Sequence, residues 1–174
     1  MAVVRVRFVR ENDLSSLLIR WHDGTLGRRA GRLAFSHVGL ITTDGTWELG
    51  ARVRVDRSRT GDPGIQYRPA EYAEFADREE VRIECTQAEH DAVWSAGDRL
   101  VGWPYSRRTI LGFALGYQFR DEHGFVCSAF VPYCLYRAGM LPPELAAQER
   151  RMDPMSDYYL LVGMREGRRS APLL

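Results

Sequence analysis

Residues Phe125–Gly139 read FVCSAFVPYCLYRAG, and the rest of the chain is organised around them. Val126, Phe130, Val131, Cys134 and Leu135 recur at roughly helical spacing, and Gly139 supplies a C-terminal stop. The pattern predicts a helix with Cys127 in its first turn. A thiol there faces unpaired backbone N–H groups and the positive end of the helix dipole, and both favour the nucleophilic thiolate. Cysteine is also among the most buried residue types, so a structural thiol competes with a reactive one until a base is found for it. Pro132 removes one backbone donor and should kink the helix, and Cys134 reads as core.

Bulk properties narrow the field. The 174 residues are 45% hydrophobic and 27% charged, which fits one globular domain with a substantial core. A net charge of +1 gives no reason to expect a nucleic acid or an anionic membrane as partner. All 24 basic residues are arginine, and pairs such as Arg28–Arg29, Arg107–Arg108 and Arg150–Arg151 read as solvated faces. The three cysteines and four histidines lack zinc-type spacing, so neither a metal nor another cofactor is expected. A reduced compartment suits the odd cysteine count. The first ten residues lack a signal-peptide core, and no stretch approaches the roughly 20 apolar residues of a membrane span. A cytoplasmic protein is therefore expected, with export by another route left open.

Taken in order, Val3–Val9 alternates as a strand with one wet face, and Asn12 or Asp13 caps a short helix, Leu14–Trp21. After a glycine- and arginine-rich loop, Leu33–Thr42 and Thr46–Val55 form a hairpin about Asp44-Gly45. A loop over Asp56–Gly64, a brief strand at Ile65–Tyr67 and a short piece over Ala70–Phe75 lead to a strand at Glu80–Cys85. Thr86 and Glu89 form a capping box for a helix reaching about Val101, which a turn at Gly102–Tyr105 ends. Thr109–Tyr117 is a helix or buried turn, Glu144–Arg151 a surface helix, Asp153-Pro154 a turn and Tyr158–Met164 a final strand. Residues 165–174 read as a frayed tail.

Thiol chemistry needs a base within hydrogen-bond reach and a group that orients the base. His37 is the best candidate: it sits in a strand beside Gly39, which leaves room for an approaching group. His22 and His123 lie in loops, and His90 is on a capped helix.

Three motifs in sequence resemble one family. Ser36–Ile41 (SHVGLI) in a strand, Gly102–Tyr105 (G-x-P-Y) after a helix, and Cys127–Val131 (C-S-x-F-V) opening a helix are similar to the circularly permuted NlpC-type papain-like cysteine hydrolases. The YiiX/YaeF-like group is the nearest match, and some of its relatives are encoded by phages and prophages. In that group the histidine precedes the cysteine. The resemblance spans roughly Val3 to Leu161 and implies that Cys127 is the nucleophile and His37 the general base and later acid. The backbone N–H of Cys127 would form part of an oxyanion hole. Tyr105 and Ser128 would line the substrate cleft.

The family places a polar orienting residue on the strand after the histidine, and Glu48 is the obvious choice. A tight turn at Asp44-Gly45 pairs Ile41 with Glu48 and His37 with Arg52. Glu48 then shares the face of His37 but lies four residues along, about 13 Å at strand rise. That distance excludes contact unless a bulge or longer loop shifts the register. Otherwise another group orients His37, the site is a dyad, or Gly50 fills the aligned slot.

The expected architecture is α+β: a small antiparallel sheet built from the His37 hairpin and its neighbours, with the Cys127 helix packed across it. The resemblance implies hydrolysis of an amide or ester, in a cell-wall peptide or a small acyl-amide, with a small molecule or peptide as substrate and no nucleic acid as partner. Acyl transfer to a lipid, thioester hydrolysis, and a binding or virion-associated module with a decayed triad are the alternatives.

Overall fold

The alternation in VVRVRFV becomes the strand that joins the two halves of a sheet. In the computed structural model, which describes residues 1–11, 17, 35–52, 63–72, 75, 77–106, 108–109, 124–146 and 153–170, the strands are β1 (Ala2–Arg10), β2 (His37–Ile41), β3 (Trp47–Arg52), β4 (Gly64–Pro69) and β5 (Asp77–Cys85). They form an antiparallel sheet in the order β4-β3-β2-β1-β5. The described helices are α1 (Gln87–Asp98), α2 (Cys127–Arg137), α3 (Pro143–Ala146) and α4 (Pro154–Ser170). The fold is α+β.

Pleating sorts the sheet into two faces. Val4, Val6, Phe8, Val38, Leu40, Leu49, Ile65, Val81 and Ile83 alternate onto one face and are buried with Val93 of α1, Phe130 and Leu135 of α2 and Leu161 of α4. Each such aliphatic or aromatic side chain contributes roughly 1.5–3 kcal/mol when fully buried. Glycine lets α1 come close: a Cβ at Gly97 would lie 2.8 Å from Leu49 Cδ2.

Arg5, Arg7, His37, Gly39, Glu48, Gly50, Arg52 and Arg68 share the other face. The expectation of a wet face there is corrected, because Arg7, Arg52 and Arg68 are buried. Ala70, Tyr72 and Phe75 help cover them. Arg7 Nη1 donates to the Ala70 carbonyl at 2.7 Å, and Arg52 lies over the Tyr72 ring with Cζ 4.3 Å from its centroid.

Helix ends follow their local chemistry. Thr86 and Glu89 form the reciprocal capping box of α1. Gly139, at φ +72°, closes α2: its N–H donates to the Tyr136 carbonyl and that of Met140 to the Leu135 carbonyl, both at 2.9 Å. The helix runs continuously through Pro132. Tyr158–Met164 is not a strand but the middle of α4. Asp153-Pro154, expected to make a turn, starts that helix: the Ser156 N–H donates to Asp153 Oδ1 at 2.7 Å, and proline fits the first helical position. Met155 and Leu161 are buried and Tyr158 half-buried, a helical period.

Residues 165–170, expected to fray, continue α4. Arg168 holds them to Glu89 at 2.9 Å and to the Glu84 carbonyl at 3.2 Å. At the same end of β5, Ala2 pairs with Cys85. All but Leu17 of the helix expected at Leu14–Trp21, the loop at 56–62, most of Thr109–Tyr117, and residues 147–151 and 171–174 lie outside the described residues.

Replacing Thr86 with alanine removes the cap of α1 and should cost about 1 kcal/mol. Urea unfolding should show a lower midpoint with an unchanged slope.

Candidate active site

The hairpin turn holds the register that its sequence dictates. Asp44 accepts from the Thr46 N–H at 3.0 Å and from Thr46 Oγ1 at 2.7 Å. The Thr42 N–H donates to the Trp47 carbonyl at 3.0 Å. Ile41 pairs with Glu48 and Leu40 with Leu49, and the β2–β3 pairing stops there. Beyond it, Gly39 and Gly50 lie between His37 and Glu48 on the polar face, and neither has a side chain. Glu48 extends over the first: a Cβ at Gly39 would sit 2.9 Å from Glu48 Cγ. The His37 ring extends over the second: a Cβ at Gly50 would sit 3.4 Å from Nε2.

The two side chains meet in this glycine lane, with His37 Nε2 2.9 Å from Glu48 Oε1. The expected separation of the two residues is thus corrected without any change of register at the turn. It measured backbone to backbone, whereas both side chains lean along the strands through space that the glycines leave empty.

Burial sets the charge states. His37 is 4% and Glu48 1% exposed. Burial lowers the His37 pKa and Arg52 lowers it further, against the opposing pull of Glu48 and Glu11. Burial works to raise the Glu48 pKa, but the His37 hydrogen bond, Arg52 and Arg7 outweigh it, and the net shift is downward. The pair is therefore a carboxylate beside a neutral imidazole. A carboxylate only accepts, so Nε2–H donates to it and Nδ1 keeps its lone pair. Glu48 Oε2 is buried without a hydrogen-bond partner among the described residues.

Cys127 opens α2 after Val126, an N-cap residue with no side-chain cap. The thiol is buried, at 3% exposure, and burial pushes its pKa up to about 12. The Val38 N–H and Arg52 oppose that rise, while Asp157, buried in the first turn of α4, adds to it. The helix N-terminus alone predicts a favoured thiolate; here desolvation outweighs it, and the resting group is a thiol. Its sulfur faces the backbone N–H of Val38, the residue after His37. α2 packs on the apolar face, and Val38, whose N–H the sulfur faces, lies beyond the point where the β2–β3 pairing stops.

Tyr105 and Ser128 are both buried. Tyr105 forms a parallel bridge with Phe125, and the Phe125 N–H donates to the Pro104 carbonyl at 3.2 Å, which ties the G-x-P-Y turn to the approach to Cys127. Arg52, Glu11 and Asp157 were not singled out from the sequence. Strand parity is the signal for Arg52, since it shares the face of His37; nothing in the sequence brings Glu11 or Asp157 near the site. Among the described residues no group of three or more His, Cys, Asp or Glu could hold a metal ion. No described helix is long and apolar enough to cross a membrane. No protein-family model matches the sequence, and no curated protein matches it.

An alanine at Gly39 would displace Glu48 and separate it from His37; imidazole ¹⁵N shifts should report loss of the Nε2 hydrogen bond in G39A. Stability should also fall on both sides of neutrality. An unfolded histidine binds a proton near pH ~6.5 whereas buried His37 resists it, so acidification below that value favours unfolding. Protonation of Glu48 removes more stability at lower pH. Above about pH 8.5 the unfolded thiol ionises while Cys127 does not, so stability falls again toward its folded value. Urea midpoints across that range check both limbs.

Proposed function

We propose that the chain is a cysteine hydrolase of the permuted papain-like, NlpC-type kind, cleaving an amide or ester through a thioester on Cys127. The observation that carries this reading is the buried His37–Glu48 pair, at 2.9 Å, which leaves a neutral imidazole with one basic nitrogen on the residue next to Val38, whose N–H Cys127 faces. In this mechanism Nδ1 of His37 takes the thiol proton as sulfur attacks the substrate carbonyl carbon. The imidazolium that forms is stabilised by Glu48 and then protonates the leaving amine or alcohol as the carbon–nitrogen or carbon–oxygen bond breaks. Water, deprotonated by His37, attacks the thioester, releases the carboxylic acid and restores the thiol.

Because the resting thiol is neutral, proton transfer accompanies attack and no ion pair stands beforehand. The backbone N–H of Cys127 is the oxyanion donor, and Tyr105 and Ser128 belong to the cleft wall. Cell-wall peptides or small acyl-amides are the substrate class that the sequence motifs suggest. Acyl transfer follows the same steps with an alcohol or lipid acceptor in place of water.

The burial of Cys127 favours a second reading, a binding module that keeps the fold without the chemistry. Alkylation separates the two. With iodoacetamide at neutral pH, the hydrolase reading expects Cys127 to label faster than Cys85 or Cys134. His37→Ala should slow Cys127 at least about tenfold and leave the other two unchanged. p-Nitrophenyl acetate should leave a mass-detectable acetyl group on Cys127 alone. Slow, equal labelling of all three thiols, indifferent to His37, would establish the binding module.

A further inference from the structure

Arg52 ends β3 on the face that carries His37, Gly50 and Glu48. It is buried, and its guanidinium is held from three sides. Nη2 lies 3.4 Å from Glu48 Oε1, Nη1 donates to the Glu11 carboxylate, and Cζ stands 4.3 Å over the Tyr72 ring. Tyr72 in turn donates to the same Glu11 oxygen at 3.5 Å. The Glu48 oxygen that faces Arg52 is the one that accepts from His37. A planar guanidinium suits such a place because it satisfies two carboxylates and stacks on an aromatic ring at once.

We infer that Arg52 is a positioning residue for the His37–Glu48 couple: it fixes Glu48 Oε1 where His37 meets it and sets a permanent positive charge beside the ring. Its catalytic meaning rests on the hydrolase reading; its effect on the couple does not. The charged and titratable groups around the couple are Arg7 from β1, Glu11 after it, Arg52 from β3, Arg68 from β4, Cys127 from α2 and Asp157 from α4. Arg52 disfavours the imidazolium and Glu11 favours it. The two therefore pull in opposite directions on one ring.

That opposition gives the test. The His37 imidazole is titrated by NMR, with its signals assigned by their loss in His37→Gln. Arg52→Gln should raise the His37 midpoint by about one pH unit, and Arg52→Lys should restore most of the wild-type value. Glu11→Gln, at a half-exposed position that leaves the core intact, should lower the midpoint. Were Arg52→Gln to unfold the protein, the Glu11→Gln shift alone decides. An unmoved midpoint in a folded Arg52→Gln protein, or an unmoved or raised one in Glu11→Gln, overturns the inference. If the midpoints move as stated while Cys127 alkylation ignores His37→Ala, Arg52 keeps its positioning role and the hydrolase reading is the part that fails.

Discussion

The contact on which the site depends is one hydrogen bond, from His37 to Glu48, made between residues that strand geometry sets well apart. It exists because two opposed glycines clear a path across the sheet. Side chains normally stand off a pleated surface beside their direct cross-strand neighbours. Here Gly39 and Gly50 leave the space between the two residues empty, and two longer side chains lie down and meet. Burial then makes the contact matter, since in a weakly screened setting a carboxylate beside an imidazole fixes both the tautomer and the charge of the ring.

The same low dielectric acts against ionisation of the Cys127 thiol. A helix N-terminus and the Val38 N–H are the features that would ionise a thiol, yet desolvation prevails at Cys127. The buried pair therefore rests as a neutral thiol and a neutral imidazole. A neutral thiol and a neutral imidazole carry no net charge to solvate, which is what lets both sit buried while the charge of Glu48 is met by Arg52 and Arg7.

Much of this was legible in the chain. The alternation of β1, the hairpin at Asp44-Gly45, the capping box at Thr86 and the stop at Gly139 are local signals, and local signals survive folding. The register Ile41–Glu48 follows from the turn. Other features did not read correctly. Asp153-Pro154 followed by Tyr158–Met164 looks like a turn and a strand because aromatic and β-branched residues favour strands; packing against the sheet instead selects the helix that aspartate and proline can start. The glycine lane was also missed, because Gly39 and Gly50 each read as a gap, and only the pairing of β2 with β3 puts the gaps side by side. Buried arginines escape notice for a related reason: a polar strand face looks solvated until other residues, here Ala70, Tyr72 and Phe75, lie over it.

The clasp of Arg168 on Glu84 and the pairing of Ala2 with Cys85 have a topological corollary. Both bring opposite ends of the described chain to the finish of β5. A short peptide bridging residues 2 and 168 would close the polypeptide into a ring while leaving the apolar layer undisturbed. Such a ring, opened anywhere between α1 and α2, would yield a linear order in which the cysteine helix comes before the histidine strand. Sequence order around this sheet is thus a matter of where the backbone is opened, and the spatial arrangement is indifferent to it.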